Sequence, residues 1–240
     1  MPGNFVSGRQ NMKIKSESND PLKIGLLGGS FNPLHIGHLR LCVEMLEQGG
    51  VNRVQLVPAY VPPHKDIKNI LPFEMRCAMI ESAIKDFAEV SINPLEKERP
   101  GPSYTYDTLK ILTRTEPEAR FTFIMGDNDL LTMPKWYKGM EIAFLSDLII
   151  AGRGDSDLNL IDEFISGFWD VRKQAKDVWR VNKGRLIRYL TVPGLDISSS
   201  MVRSRWLAGK SIRWLVPDQS GEYLNLYRAE VDRIWHKTGG

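Results

Sequence analysis

Residues 22–41 read LKIGLLGGSFNPLHIGHLRL, and this stretch decides the fold. Lys23 to Leu27 is a short apolar run suited to a buried strand. Gly28 and Gly29 predict a sharp turn and leave room for something to approach the main chain. Asn32-Pro33 marks a further turn. From Ile36 the spacing of Leu39, Val43 and Leu46 predicts a helix with one apolar face, ended by Gly49-Gly50. His35 and His38 stand three apart where that helix begins, so a formed first turn puts both on one side. A helix N-terminus after a glycine turn offers unpaired N–H groups and a partial positive charge. Two imidazoles beside it add donors, and the whole reads as a polyphosphate site.

The rest of the chain supports a strand-helix alternation. Residues 51–57, 90–92, 121–125, 146–151 and 186–192 read as strands, and the first helix between two of them favours a parallel, right-handed unit. Residues 72–87 predict an amphipathic helix with Met75, Ala78, Met79 and Ala83 as its apolar stripe, and Arg76 free to pair with an acid or a phosphate. Residues 155–184 predict a helix and a loop inserted between core elements; residues 221–237 predict a closing helix. The expected architecture is an α/β, Rossmann-like fold: a parallel twisted sheet of about five or six strands with helices on both faces. Residues 1–21 read as a polar, flexible leader. Residues 22–237 read as a single domain, its helical C-terminal part starting near 197.

Composition narrows the function classes. The 240 residues carry 32 basic and 29 acidic side chains, a net charge of +3, too balanced to argue for nucleic acid or a membrane surface. No apolar run approaches a membrane span, and 1–20 lack a signal-peptide core, so the chain reads as cytoplasmic. Cys42 and Cys77 fall on apolar helical faces and read as buried free thiols. No Cys/His cluster has zinc-ligand spacing, so no protein-held metal is expected. A homo-oligomer is left open.

GGSFNPLHIGH resembles the signature of the nucleotidyltransferase superfamily that carries a His-x-Gly-His motif. It is not a Walker loop, since no Gly-Lys-Ser/Thr follows, and it lacks the Gly-x-Gly-x-x-Gly spacing. The resemblance implies transfer of a nucleotidyl group from a nucleoside triphosphate with release of pyrophosphate. ISSSMVR, 197–203, is similar to the family's second signature, whose hydroxyls, N–H groups and arginine grip the triphosphate. Pro-Pro-His-Lys, 62–65, also resembles the family and makes Lys65 a phosphate contact. RPGPSYTYDTL, 99–109, looks like the segment that holds the pyridine carboxylate in the nicotinate-mononucleotide branch, although Ser103 or Thr105 also reads as a plain helix cap. In PKWYKG, 134–139, Trp136 matches the residue that stacks on the nicotinate ring. The family usually places an acid where this chain has Asn128, between Asp127 and Asp129, which bears on the sugar contact.

The resemblance thus implies an adenylyltransferase that joins ATP to nicotinate mononucleotide, an enzyme of pyridine nucleotide biosynthesis. Its implied catalytic residues are His35, His38, Lys65 and Arg203. The implied ATP site is Gly28, Gly29, Ser30, Phe31, His38, Ile197, Ser198, Ser199 and Arg203. The implied nicotinate-nucleotide site is Ser103, Tyr104, Thr105, Asn128, Trp136 and Tyr137. Mg²⁺ would arrive with ATP. Alternatives are a sister transferase for nicotinamide mononucleotide, phosphopantetheine or a polyol phosphate, and a nucleotide-binding module without turnover.

Overall fold

A computed structural model of the chain describes residues 21–63, 67–154, 156–182 and 184–236. The stretch read as a leader, 1–21, lies outside these residues except for Pro21, and so do His64, Lys65 and residue 237.

The first strand, β1 (Lys23–Gly29), leads through a short loop to α1 (Ile36–Glu47) and β2 (Arg53–Pro58). Then come α2 (Phe73–Ile84), β3 (Val90–Ile92), α3 (Thr105–Thr115) and β4 (Arg120–Gly126). The chain continues through α4 (Asp127–Thr132), α5 (Ile142–Leu145), β5 (Asp147–Gly152) and α6 (Leu158–Phe168). β6 (Val171–Ala175), β7 (Val178–Val181) and β8 (Leu186–Thr191) precede α7 (Ser199–Leu207), α8 (Asp218–Leu226) and α9 (Arg228–Trp235). One sheet has the order β3-β2-β1-β4-β5-β8-β7-β6. The pairings from β3 across to β8 are parallel. Those from β8 to β7 and β6 are antiparallel.

Strand alternation sets the two layers. Ile24 and Leu26 face a core shared with Leu109 and Leu112 of α3 and Ile161 and Ile165 of α6. Leu27 points the other way, to Cys42 and Met45 of α1 and Ile80 and Ile84 of α2. Each such buried side chain contributes roughly 1.5–3 kcal/mol. A third cluster joins Met75 and Met79 of α2 to Val202, Leu224, Val231 and Trp235 of the C-terminal helices. Strand order reverses direction at β1, because the chain runs to β2 and β3 on one side and returns to β4 on the other. Ligand crevices of open α/β sheets form at such a switch point.

Four expectations need correction. Gly28 and Gly29 do not turn; they are extended and pair with Val57 and Pro58 of β2. The left-handed residue is Phe31, at φ 45°, held there by a ring buried in the α1 layer. Residues 155–184 hold a helix and then the β6–β7 hairpin, which widens the sheet to eight strands. The hairpin is short and β6 is exposed almost along its length, so it shows no periodicity; Trp179, buried and bonded through Nε1 to Asp162, and the buried Val181 anchor it. The closing helix is two, α8 and α9, broken at Tyr227. Cys42 is buried but Cys77 only half-buried, and both are free thiols.

The α2 stripe differs too. Phe73, Met75, Met79, Ile80 and Ile84 are buried, and Ala78 and Ala83 only half so. Arg76, read as free to pair with an acid or a phosphate, is 1% exposed. Its guanidinium donates to Ser30 O at 2.7 Å and Leu71 O at 2.9 Å. Removing it strands two buried carbonyls, each costing about 1–3 kcal/mol. Arg76→Ala is therefore expected to lower the unfolding free energy in urea by about 3 kcal/mol, with Arg76→Lys recovering only part; a loss well under about 1 kcal/mol would contradict this.

Candidate active site

The loop after β1 is fastened from three sides. Arg76 holds Ser30 O. Arg203, from α7, donates to Asn32 O at 2.8 Å, and Ser199 Oγ donates to Pro33 O at 2.9 Å. Asn32 is buried and is itself pinned, accepting from Leu71 N and donating to Asn69 O. These bonds fix the start of α1, whose N-cap is His35.

His35 N donates to His38 Nδ1 at 3.2 Å. That bond makes Nδ1 the acceptor, which assigns the proton of a neutral His38 to Nε2. The two imidazoles stack with centroids 3.6 Å apart, and the Phe31 ring packs edge-on to His38 at 4.9 Å. A Cβ on Gly37 would lie 3.0 Å from His35 Nδ1, so the glycine leaves room for this stack. Of the first α1 donors, Ile36 N is taken by Leu215 O and His38 N by His35 O; Gly37 N has no partner among the described residues. Burial lowers the His35 pKa to about 4. His35 is thus a neutral imidazole near pH 7.

Three cavities run along the carboxyl ends of β1, β4 and β5 and share walls. The outer one, about 440 Å³, is lined by His35, His38, Arg40, Asn128, Arg153 and Ile197. The middle one, about 310 Å³, is lined by Gly28, Gly29, His38, Glu96, Asp129 and Trp136. The inner one, about 230 Å³, is lined by Ser30, Pro62, Ser103, Thr105, Trp136 and Tyr137, with Tyr104 beside them. His38 and Asp129 border the outer and middle spaces; Gly29, Ser103, Thr105 and Trp136 border the middle and inner ones. A larger cleft, about 620 Å³, lies between the 209–217 loop and α8. It contains none of the signature residues apart from sharing α7, so volume alone is a poor guide here.

The inner pocket explains an expected cap that is missing. Ser103 is buried, with its Oγ accepting from Val61 N at 3.0 Å and its N donating to Val61 O at 2.9 Å. The N-cap of α3 is Tyr104, which supplies no side-chain bond, and Thr105 is already helical. The α3 N-terminus therefore opens on the pocket without a side-chain cap, an arrangement suited to an anion. Trp136 is half-buried, its ring edge-on to Phe123 at 6.5 Å. Tyr104 and Tyr137 lie 4.6 Å apart at the rim.

The second signature reaches the same place by different means. Ile197 lines the outer cavity, Ser198 caps α7 by accepting from Met201 N, and Ser199 and Arg203 bind the 32–33 backbone. Phe31 is buried beneath the site. Asn128 is exposed and borders only the outer cavity, while Asp129 reaches two. Lys65 lies outside the described residues. Sequence reasoning missed Arg40, Glu44 and Glu96. Arg40 and Glu44 form an ion pair that looks like an ordinary helix-surface pair, and Glu96 sits in a charge run, LEKER.

These features are those of a nucleotidyltransferase site, and the cytidylyltransferase-like family model matches residues 26–205, so the chain belongs to that family. Within it the chain is similar to probable nicotinate-nucleotide adenylyltransferases. One from Maridesulfovibrio salexigens is 31% identical over 215 residues, covering 89% of this chain and 100% of the relative. One from Geobacter sulfurreducens is 34% identical over 211 residues, covering 86% and 97%. Among solved structures, a nicotinic acid mononucleotide adenylyltransferase of Plasmodium falciparum complexed with NaAD shares the fold, with a TM-score of 0.68 at 19% identity, over 86% of this chain and 96% of that one. No helix among the described residues is long and apolar enough to cross a membrane.

The buried histidine makes stability depend on pH. The unfolded chain takes up the His35 proton near 6.5, the folded chain only near 4. Between these values the unfolded state binds more protons, so stability falls as pH drops through that window. From pH 7 to pH 5 the wild type should lose about 2 kcal/mol more than His35→Gln in urea unfolding; equal losses would show that His35 is not buried neutral.

Proposed function

We propose that this protein transfers the adenylyl group of ATP to nicotinate mononucleotide, giving deamido-NAD and pyrophosphate, as a cytoplasmic enzyme of NAD biosynthesis. The observation that carries the reading is the continuity of a polar cavity at the His35–His38 helix start with an aromatic pocket at the uncapped α3 N-terminus. The first suits a triphosphate and the second a flat ring bearing a carboxylate. The names of the relatives support the same substrates.

In this reading the 5′-phosphate of nicotinate mononucleotide attacks the α-phosphorus of ATP in line, a new P–O bond forms, and the bond to the β-phosphate breaks. The nucleophile is already ionised, so no general base is required; catalysis is positioning and charge stabilisation. His38 Nε2–H and the Gly37 N–H would meet the reacting phosphoryl oxygens. His35 would hold His38 in orientation. Arg203 and Ser199 would act through the loop they fasten, and Lys65 would contact the phosphates. Ser103, Tyr104, Thr105, Trp136 and Tyr137 would receive the nicotinate ring, and Asn128 with Asp129 the sugar hydroxyls.

Magnesium would enter on the phosphates of ATP. Such an ion keeps several waters and its phosphate ligands, so the protein need supply few of its own. When bound it would neutralise phosphate charge; the protein's own residues do the orienting.

His38→Ala is expected to reduce turnover on the order of a hundredfold or more with folding intact by circular dichroism. Unchanged turnover would remove His38 from the mechanism. Pyrophosphate release from ATP should be faster with nicotinate than with nicotinamide mononucleotide. Release with neither would favour a binding module without turnover, the reading that Asn128 at the usual acid position supports.

A further inference from the structure

Three buried acids have no part in the mechanism; Glu44 and Asp147 are ion-paired with Arg40 and Arg120, and Glu96 has no such partner among the described residues. It is 6% exposed, in the short 3-10 turn Leu95–Glu98. Its Oε1 accepts from Thr108 Oγ1 of α3 at 2.7 Å. Its Oε2 is buried and makes no hydrogen bond among the described residues. The neighbouring cations are engaged elsewhere: Lys97 pairs with Glu74, and Arg99 with Asp107. Arg76 feels the charge of Glu96, but spends its hydrogen bonds on Ser30 O and Leu71 O. Glu96 lines the middle cavity with Gly29, Ser103, Thr105 and Trp136. It also lines a space of about 20 Å³ with Leu26, Val57, Leu109 and Phe123, and with Gly28, Thr105 and Thr108. A carboxylate among such walls is costly unless a positive charge meets it.

We propose that Glu96 supplies the counter-charge for a cationic, N-substituted pyridinium ring, and is a specificity-determining residue of the pocket; this rests on the reading of that pocket as a nicotinate-nucleotide site. The ring nitrogen of such a nucleotide carries a permanent positive charge at every pH. Three features of the ring then meet three features of the wall. Its carboxylate meets the α3 N-terminus, its face meets Trp136, and its charge meets Glu96. A reduced, uncharged dihydropyridine keeps the carboxylate, ribose and phosphate but loses the third match.

The test compares wild type with Glu96→Gln, which keeps an acceptor for Thr108 and removes only the charge. Calorimetry measures binding of nicotinate mononucleotide and of its 1,4-dihydro form to each protein. Trp136 favours the cationic ring in both proteins, so the readout is the change in the preference between them. The wild-type preference for the cationic ring should fall about tenfold in Glu96→Gln. In steady state the KM for nicotinate mononucleotide should rise while the KM for ATP stays put. Glu96→Asp, which keeps the charge, should keep most of the preference and guards against a variant that merely folds poorly. An unchanged preference in Glu96→Gln overturns the role of Glu96. Failure of wild type to bind nicotinate mononucleotide at all overturns the reading of the pocket instead.

Discussion

Two guanidiniums and a hydroxyl hold the loop between β1 and α1, and the site depends on that clamp. Arg76 reaches it from α2, and Arg203 and Ser199 from α7, each taking a different backbone carbonyl of residues 30–33. The loop joins the strand at the sheet's switch point to the helix that carries both imidazoles. Its carbonyls are buried or half-buried, so leaving them unpaired would be costly. The clamp thus ties elements far apart in the chain to one geometry, and aligning two signatures around one cavity is a by-product of satisfying backbone polar groups.

The imidazole pair shows how burial sets chemistry. His35 is shielded, stacked on His38 and held neutral by desolvation. Its backbone N–H fixes the orientation of the second ring. The tail of the protein takes part as well, since Leu215 O accepts the first N–H of α1 and leaves Gly37 N unpartnered. The inner pocket uses the opposite device. Ser103 is spent on the Val61 backbone, so no side chain caps α3 and its N-terminus stays open to a ligand.

Much of this was legible in the chain. The period of the apolar runs gave the parallel strands and both helix layers, because the central strands are buried on two faces and the helices against them on one. The His-x-Gly-His stretch named the helix start. The β6–β7 hairpin was not legible: its strands are short, β6 at the edge is exposed almost throughout, and Trp179 and Val181 of β7 are its buried residues. Arg76 misled for a related reason. An arginine on a helix reads as exposed, and here two buried carbonyls, Leu71 O and Ser30 O, the latter from 46 positions away, take its hydrogen bonds inside.

By itself the sequence determined the fold class, the place where α1 begins, and the family, since these rest on local spacing and on motifs that occupy consecutive positions. Tertiary structure alone decided which hydroxyls brace the backbone, that His35 is neutral, and that Glu96 lines the middle cavity. Those properties depend on burial and on partners brought in by other elements. Neither is encoded at the residue's own position.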